Sequence, residues 1–546
     1  MNWFPRLILA AGLVSTLPAY SQRLKKEEKQ IVSRLQEHVY FLADDKLEGR
    51  RAGTKGEEQA SEYIKNQFSS IGLTPRGDQD GWFQYFPIYD GKDYTRGSYL
   101  FINGSEIDKK HYFVHPLSPE KMLEAMPSIA LKEEGVPWFL DFGAELEAQK
   151  DNPHFDREAA LQEKVRQAAD KGATALLVFN DPAQRYNPKL RGQEFPIPVV
   201  VLDKTVTEKY FSDETDMLEI KLKTAFTKLE RTGRNVIGYL DNGAQQTVIL
   251  GAHFDHLGYG EDGNSMVRQA NPGLHNGADD NASGTAALIE LARLLKKDKS
   301  KTFNYLFIAF SAEELGLFGS KYFTENATVP LNTVNYMINM DMVGRLNDSS
   351  KALTIGGYGT SPAWSSTFSS ISDTRYFNIK YDSSGTGPSD HSSFYRKDIP
   401  VLFFFTGLHT DYHKPSDDAD KINYTGQLRI VQLIQKVIKS TAGQPKLAFT
   451  KTREQQMGTS ARFTVSLGIM PDYAFSGNGV RVDGVSEGRA AQKAGMKAGD
   501  IIIKLGDYPI ASVEQYMQAL SKFKKGDKTT VVYKRESEEL SSPVEF

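Results

Sequence analysis

Apolar residues recur at three- and four-residue spacing across 28–73, in VSRLQEHVYFLADD and again in EEQASEYIKNQFSSIG, which predicts two amphipathic helices. Between them LEGRRAGTKG (47–56) reads as a turn rich in glycine and charge, and Gly72 is placed to close the second helix. From about 93 to 232 the texture changes. Short apolar runs at Pro137–Phe142, Ala175–Phe179 and Pro196–Leu202 predict strands, Glu158–Lys171 predicts a helix, and turn residues fill the gaps. This reads as a compact β-rich unit inserted into a larger domain.

Over 233–445 strand-length apolar runs alternate with helical patterns. Val248–Leu250, Tyr305–Phe310, Tyr336–Met340 and Val401–Phe405 are the strands, and Ala286–Leu295 is a strongly amphipathic helix. Such alternation predicts an α/β fold, a mostly parallel sheet sandwiched by helices. The last hundred residues change again. SLGIMP (466–471), GVRVDGV (479–485), AGDIIIKLGDYPI (498–510) and TTVVYK predict short strands of a small separate domain, and 446–460 is expected to be a linker.

A length of 546 residues suits three or four domains, and an apolar fraction of 40% suffices for real cores. Net charge is only −3, so no global field favours nucleic acid or anionic lipid as a partner. Residues 1–21 read as an export signal: Arg6 precedes the apolar run Leu7–Leu17, and Ala19-Tyr20-Ser21 offers small residues for cleavage before Gln22. That run is too short to span a bilayer, so the mature chain is expected in the periplasm or secreted, without a membrane anchor. Cysteine is absent, which excludes disulfides, a thiol nucleophile and a lipid-modified cysteine together.

The chemistry concentrates in GAHFDHLG (251–258) and GADDNASG (277–284). His253 follows a buried strand, and Asp255, two residues on, can accept its second ring N–H and hold its tautomer. The aspartates of GADDNASG precede a helix and could merely cap it, but two adjacent acids framed by glycine and serine exceed what a cap needs. NYLFIAF runs into Glu313-Glu314, where one carboxylate can bind metal while the other takes a proton from water; the alternative is an acidic pair opening a helix. Asp341 interrupts an apolar strand, where an unpaired carboxylate is costly. His413 lies in the polar loop DYHKPSDD, with His409 and His391 competing for its place. Taken together these residues form an oxygen and nitrogen donor set for two zinc ions, with cobalt or manganese tolerated.

The order His, Asp, Glu-Glu, Asp, His, with LEGRRAGTKG upstream, resembles the co-catalytic di-zinc aminopeptidases of metallopeptidase family 28. The resemblance implies the zinc exopeptidase fold over 22–92 and 233–445. It assigns His253 and Asp341 to one metal, Glu314 and His413 to the other, and Asp280, not Asp279, as the bridge. Glu313 would be the general base and Asp255 the carboxylate behind His253. Residues 93–232 resemble a protease-associated domain through GATALLVFND and IPVVVLD, and 461–546 resemble a PDZ domain with SLGIM as its carboxylate-binding loop. A PDZ unit can capture the C-terminus of a protein or peptide, or simply pack against its neighbour. The implied activity is removal of N-terminal residues from peptides with a free N-terminus. A carboxypeptidase, a single-zinc glutaminyl cyclase and a non-catalytic periplasmic peptide-binding protein are the alternatives.

Overall fold

The structure is a computed structural model describing residues 24–546 except 149–156, 182–184, 191, 212, 214, 268–271, 453–464, 472–474, 476, 486–488, 521 and 525. The expected export signal, part of the expected linker and the start of the C-terminal unit lie outside the described residues. Helices α1 (Lys26–Leu42) and α2 (Lys55–Ile71) form where the apolar spacing predicts them, and Gly72 ends α2 at φ 83°. Their apolar stripes, including Leu35, Val39, Ile64 and Phe68, are fully buried.

The central sheet has nine strands. In chain order they are β1 (Thr74–Pro75), β2 (Phe83–Asp93), β3 (Thr227–Leu240), β4 (Thr247–His253), β5 (Asn304–Phe310), β6 (Val334–Met340), β7 (Ala352–Gly356), β8 (Asn378–Tyr381) and β9 (Val401–Phe405). They lie side by side as β1-β3-β5-β4-β6-β9-β7-β8, with β2 paired to β3. The four in the middle, β5, β4, β6 and β9, run parallel, so their carboxyl ends open on one edge. Every residue of β4, β5 and β6 is buried. A strand covered on both faces needs no polar alternation, which is why these read as continuous apolar runs.

Strand β4 extends past the predicted Val248–Leu250 through Gly251 and Ala252 to His253. The small residues break the apolar run but suit the crowded middle of the sheet: a Cβ on Gly251 would lie 2.6 Å from the Phe310 ring. One face of the sheet packs Val248, Leu250 and Ile338 against α1, α2, α3 (Gly284–Lys296) and α4 (Tyr424–Ser440). The other packs Ile249, Ile308 and Phe310 against Phe323 and Phe394.

Between Asp93 and Thr227 the chain builds two four-stranded sheets with the helix Arg157–Asp170. Residues 446–452 do not hang free, as a linker would. Leu447 is buried, its N–H donates to Asn335, and Thr452 N–H donates to the Tyr395 hydroxyl at 2.9 Å. The C-terminal unit has its own core, built on Leu467, Val482, Ile502 and Val531.

Arg50 ties the turn 47–56 to the edge of the sheet where the parallel strands end. Its side chain is fully buried and donates to the carbonyls of Phe254 (2.7 Å), Asn276 (2.6 Å), Gly277 (3.0 Å) and Leu42. Burial pulls its pKa down to about 10, against the pull of Asp255, Asp280, Asp417 and Glu314. Arg50→Met keeps most of the volume but strands these acceptors, and should cost about 3–5 kcal/mol in denaturant unfolding. A loss below about 1 kcal/mol, the size of an ordinary surface change, would show that the carbonyls are satisfied without it.

Candidate active site

The candidate residues gather at the carboxyl ends of the parallel strands, the edge on which open α/β sheets place their sites. His253 is the last residue of β4; Glu313 and Glu314 follow β5; Asp341 follows β6; His413 lies in the loop after β9. The turns are sharp. Ala312, Met342 and His413 itself all have positive φ, at 56°, 51° and 53°. A left-handed L-residue costs roughly 1–2 kcal/mol, and such strain clusters where side chains must be aimed. Here each such residue either immediately neighbours a candidate carboxylate or is the candidate imidazole.

Asp280 lies at the centre. Its Oδ1 is 3.3 Å from His253 Nε2 and its Oδ2 is 3.3 Å from His413 Nε2. Asp341 Oδ1 is 3.4 Å from the same His253 nitrogen, and Glu314 Oε2 is 3.1 Å from that of His413. Glu313 Oε2 stands farther off, 3.9 Å from His253 Nε2. Six of the seven residues predicted from sequence are thereby brought to one place.

Asp279, the neighbour of Asp280, points elsewhere. Its Oδ1 accepts from Gly344 N–H (2.7 Å) and Ser283 Oγ (3.0 Å), and Oδ2 is 3.2 Å from His409 Nε2. This also separates His413 from its competitors, since His409 pairs with Asp279 and His391 stacks on Phe403 with ring centres 4.5 Å apart. Asp255 departs somewhat from its expected task. Its Oδ1 is 3.7 Å from His253 Nδ1, while its own carbonyl lies nearer, at 3.3 Å. The carboxylate chiefly accepts from the N–H groups of Glu313 (3.1 Å) and Glu314 (3.4 Å), fixing the turn that carries them.

The electrostatics follow from crowding like charges in a buried place. Burial, reinforced by Asp341, Glu314 and Asp390, pushes the Glu313 carboxyl well above its ordinary range despite His253. Burial also raises Asp341. Glu314 goes the other way. Burial and Asp280 would raise it, but the charge of His413 and hydrogen bonds from His256 and His413 hold it at about 2.

Four contributors lie within the stretches singled out above, yet the sequence reading gives them no role. Arg50 bonds the carbonyls of Phe254, Asn276 and Gly277 beside the site. Asp417, buried in HKPSDD, accepts from the N–H groups of both Asp279 and Asp280 at 3.0 Å. His256 places Nδ1 2.7 Å from Glu314 Oε1. Tyr412 stacks on His413 at 3.9 Å between ring centres. The donor atoms of His253, Glu313 and Asp341 form one group lying within 4.8 Å, and those of His256, Asp280 and Glu314 another.

A charged knot holds the loop that follows β4. Asp262 accepts from Arg51 (2.7 and 3.0 Å), Arg231 (3.2 Å) and Lys189, and Asp90 joins Arg231 and Lys189. Two residues beyond, the Asn264 carbonyl accepts from His413 Nδ1 at 2.9 Å, which leaves Nε2 free to face Asp280. The same loop bonds Met266 N–H to the His413 carbonyl.

Comparison with known proteins finds likeness over two stretches of the chain. The peptidase family M28 model matches residues 235–438, and a PDZ domain model matches 451–545. Aminopeptidase YwaD of Bacillus subtilis (strain 168) is 28% identical over 278 residues, covering 48% of this chain and 55% of the relative. Leupeptin-inactivating enzyme 1 of Streptomyces exfoliatus is 30% identical over 199 residues, 36% of this chain and 40% of the relative. The chain thus spans about half the length of the curated relatives it matches. The solved aminopeptidase from Aneurinibacillus sp. strain AM-1 is 21% identical, with 79% of this chain and 98% of that one covered at a TM-score of 0.42. Residues 235–438 are a peptidase family M28 domain, and residues 451–545 are a PDZ domain.

Proposed function

We propose that the protein is an exported, metal-dependent aminopeptidase that hydrolyses N-terminal residues from peptides. One observation carries the reading: the Asp280 carboxylate turns one oxygen to each of two imidazoles, 3.3 Å from either. One further carboxylate joins each pair, as a two-cation site requires. His253 Nε2 is buried with no hydrogen-bond partner among the described residues, as suits a ring nitrogen that ligates a metal. We assign His253 and Asp341 to one zinc ion, Glu314 and His413 to the other, and Asp280 to both. The oxygen and nitrogen donors would also accept cobalt or manganese. Among the described residues no helix is long and apolar enough to cross a membrane.

Bound there, the ions would polarise the scissile carbonyl and lower the pKa of an attacking water. The proton transfers fall to Glu313, which is assigned to neither ion. It takes a proton from the water as oxygen bonds to the first peptide carbonyl carbon. It then delivers that proton to the amine nitrogen as the C–N bond breaks. Its shelter from solvent keeps the proton it takes from the water for delivery to the amine. Asp255 serves by holding the Glu313–Glu314 turn. The stretch 93–232 is proposed as a protease-associated insert, and the PDZ domain as a site for protein or peptide C-termini.

Glu313→Gln should bind two zinc ions as the parent does and lose about 10²–10⁴-fold in turnover. Activity within tenfold of the parent would remove Glu313 from its role. Peptides with a free N-terminus should be shortened from that end, and their N-acetylated counterparts left intact, as mass spectrometry of the products would record. Loss of C-terminal residues would make the enzyme a carboxypeptidase, and formation of a pyroglutamyl N-terminus would make it a cyclase. Chelation should abolish hydrolysis and zinc restore it; activity that survives full metal removal would overturn the proposal.

A further inference from the structure

Glu314 is held from both sides. Oε2 faces His413 Nε2 at 3.1 Å, while Oε1 lies 2.7 Å from His256 Nδ1. An ionised carboxylate has only acceptors, so the bond requires the Nδ1–H tautomer of His256. We propose that His256 is a positioning residue that occupies one Glu314 oxygen and so makes Glu314 a one-oxygen ligand of the second metal. This rests on the two-metal reading above.

The surroundings of His256 are built to keep it in place. Its N–H donates to the Arg50 carbonyl at 3.3 Å, which joins it to the turn 47–56. Its side chain is fully buried. The ring lies against Gly277, where an added Cβ would stand 2.4 Å from Cδ2 and 2.5 Å from Cγ. Gly277 also has φ 56°, so the first glycine of GADDNASG serves both the turn and the room for this imidazole. Meanwhile the Glu314 main chain is held on both sides of its Cα, by the Asp255 carboxylate on N–H and Asn264 Nδ2 on the carbonyl. The side-chain torsions then set the carboxylate, with His413 Nε2 facing one oxygen and His256 Nδ1 holding the other. The rotation matters because a free carboxylate can turn either oxygen, or both, toward a cation.

The bond is specific to one nitrogen, which makes it testable. The side-chain amide nitrogen of asparagine can take the place of His Nδ1, whereas that of glutamine reaches toward Nε2. The full-length protein and His256→Ala, His256→Asn and His256→Gln are stripped of metal and titrated with zinc against a chromophoric chelator, giving stoichiometry and two dissociation constants. Thermal unfolding of the metal-free forms accompanies them. The second zinc should bind His256→Ala and His256→Gln roughly 10–100-fold more weakly, the usual cost of losing a partner behind a ligand. The first should be unchanged, and His256→Asn should recover most of the affinity. Unchanged second-site affinity in His256→Ala would overturn the inference while leaving the two-metal reading intact. Equal weakening of both sites, or failure of His256→Asn to recover, would also overturn it, since either marks a general disturbance. A parent protein that binds fewer than two zinc ions would sink the two-metal reading and this inference with it.

Discussion

The site is governed by the repulsion between carboxylates brought together out of water. Asp280, Glu313, Glu314 and Asp341 converge within a few ångströms, with Asp255, Asp390 and Asp417 buried behind them. In a medium of low polarisability such a cluster is expensive unless each charge meets a partner or is given up. The structure does both. Asp390 and Asp417 are pushed up to about 7 by burial, toward the neutral form, while Glu314 is drawn down by two histidines. Arg50 adds a buried cation that spends its hydrogen bonds on carbonyls and its charge on the acids around it. Under the proposed function a pair of divalent ions completes this compensation.

Positioning is shared between the sheet and the loops. Three parallel strands deliver His253, Glu313, Glu314 and Asp341 from a rigid, fully buried frame. His413 comes from a loop and needs its own support. That support is the Asn264 carbonyl, and Asn264 in turn is held two residues away by the Asp262 knot. Lys189, from the inserted stretch, is one of the three cations in that knot. The accessory region therefore touches the site through charge as well as through the strands that bear it.

Much of this was legible in the chain, and the limits have physical causes. Val401–Phe405 is a strand to the residue because an unbroken apolar run of strand length leaves little choice. Gly251-Ala252-His253 hides the end of its strand because close packing against Phe310 demands small residues that carry no β signal. The choice of Asp280 over Asp279 came from family pattern; composition could not decide it, since Asp279 is committed by Gly344 and Ser283, some sixty residues of fold away for the former. His256 and Arg50 stayed invisible because their roles lie in contacts 58 and 204 residues distant. A second histidine in a motif that already supplies one, and an arginine in a charged turn, look ordinary until the fold closes around them. Residues 446–452 looked like spacer because Leu447 and Phe449 are isolated apolar residues, yet both find places on the α/β unit.

One feature of the sheet bears on how such a chain could have been assembled. Strands β2 and β3 pair antiparallel from Phe83↔Val236 out to Asp93↔Thr227, so the inserted stretch departs and returns through facing neighbours. Geometrically it is an enormous hairpin tip, and a turn of a few residues could join Asp93 to Thr227 without moving the ladder beneath. A gene could gain or shed that cassette in one event and still encode a sheet that closes. What such an ancestor would lack is Lys189, leaving Asp262 to Arg51 and Arg231 alone.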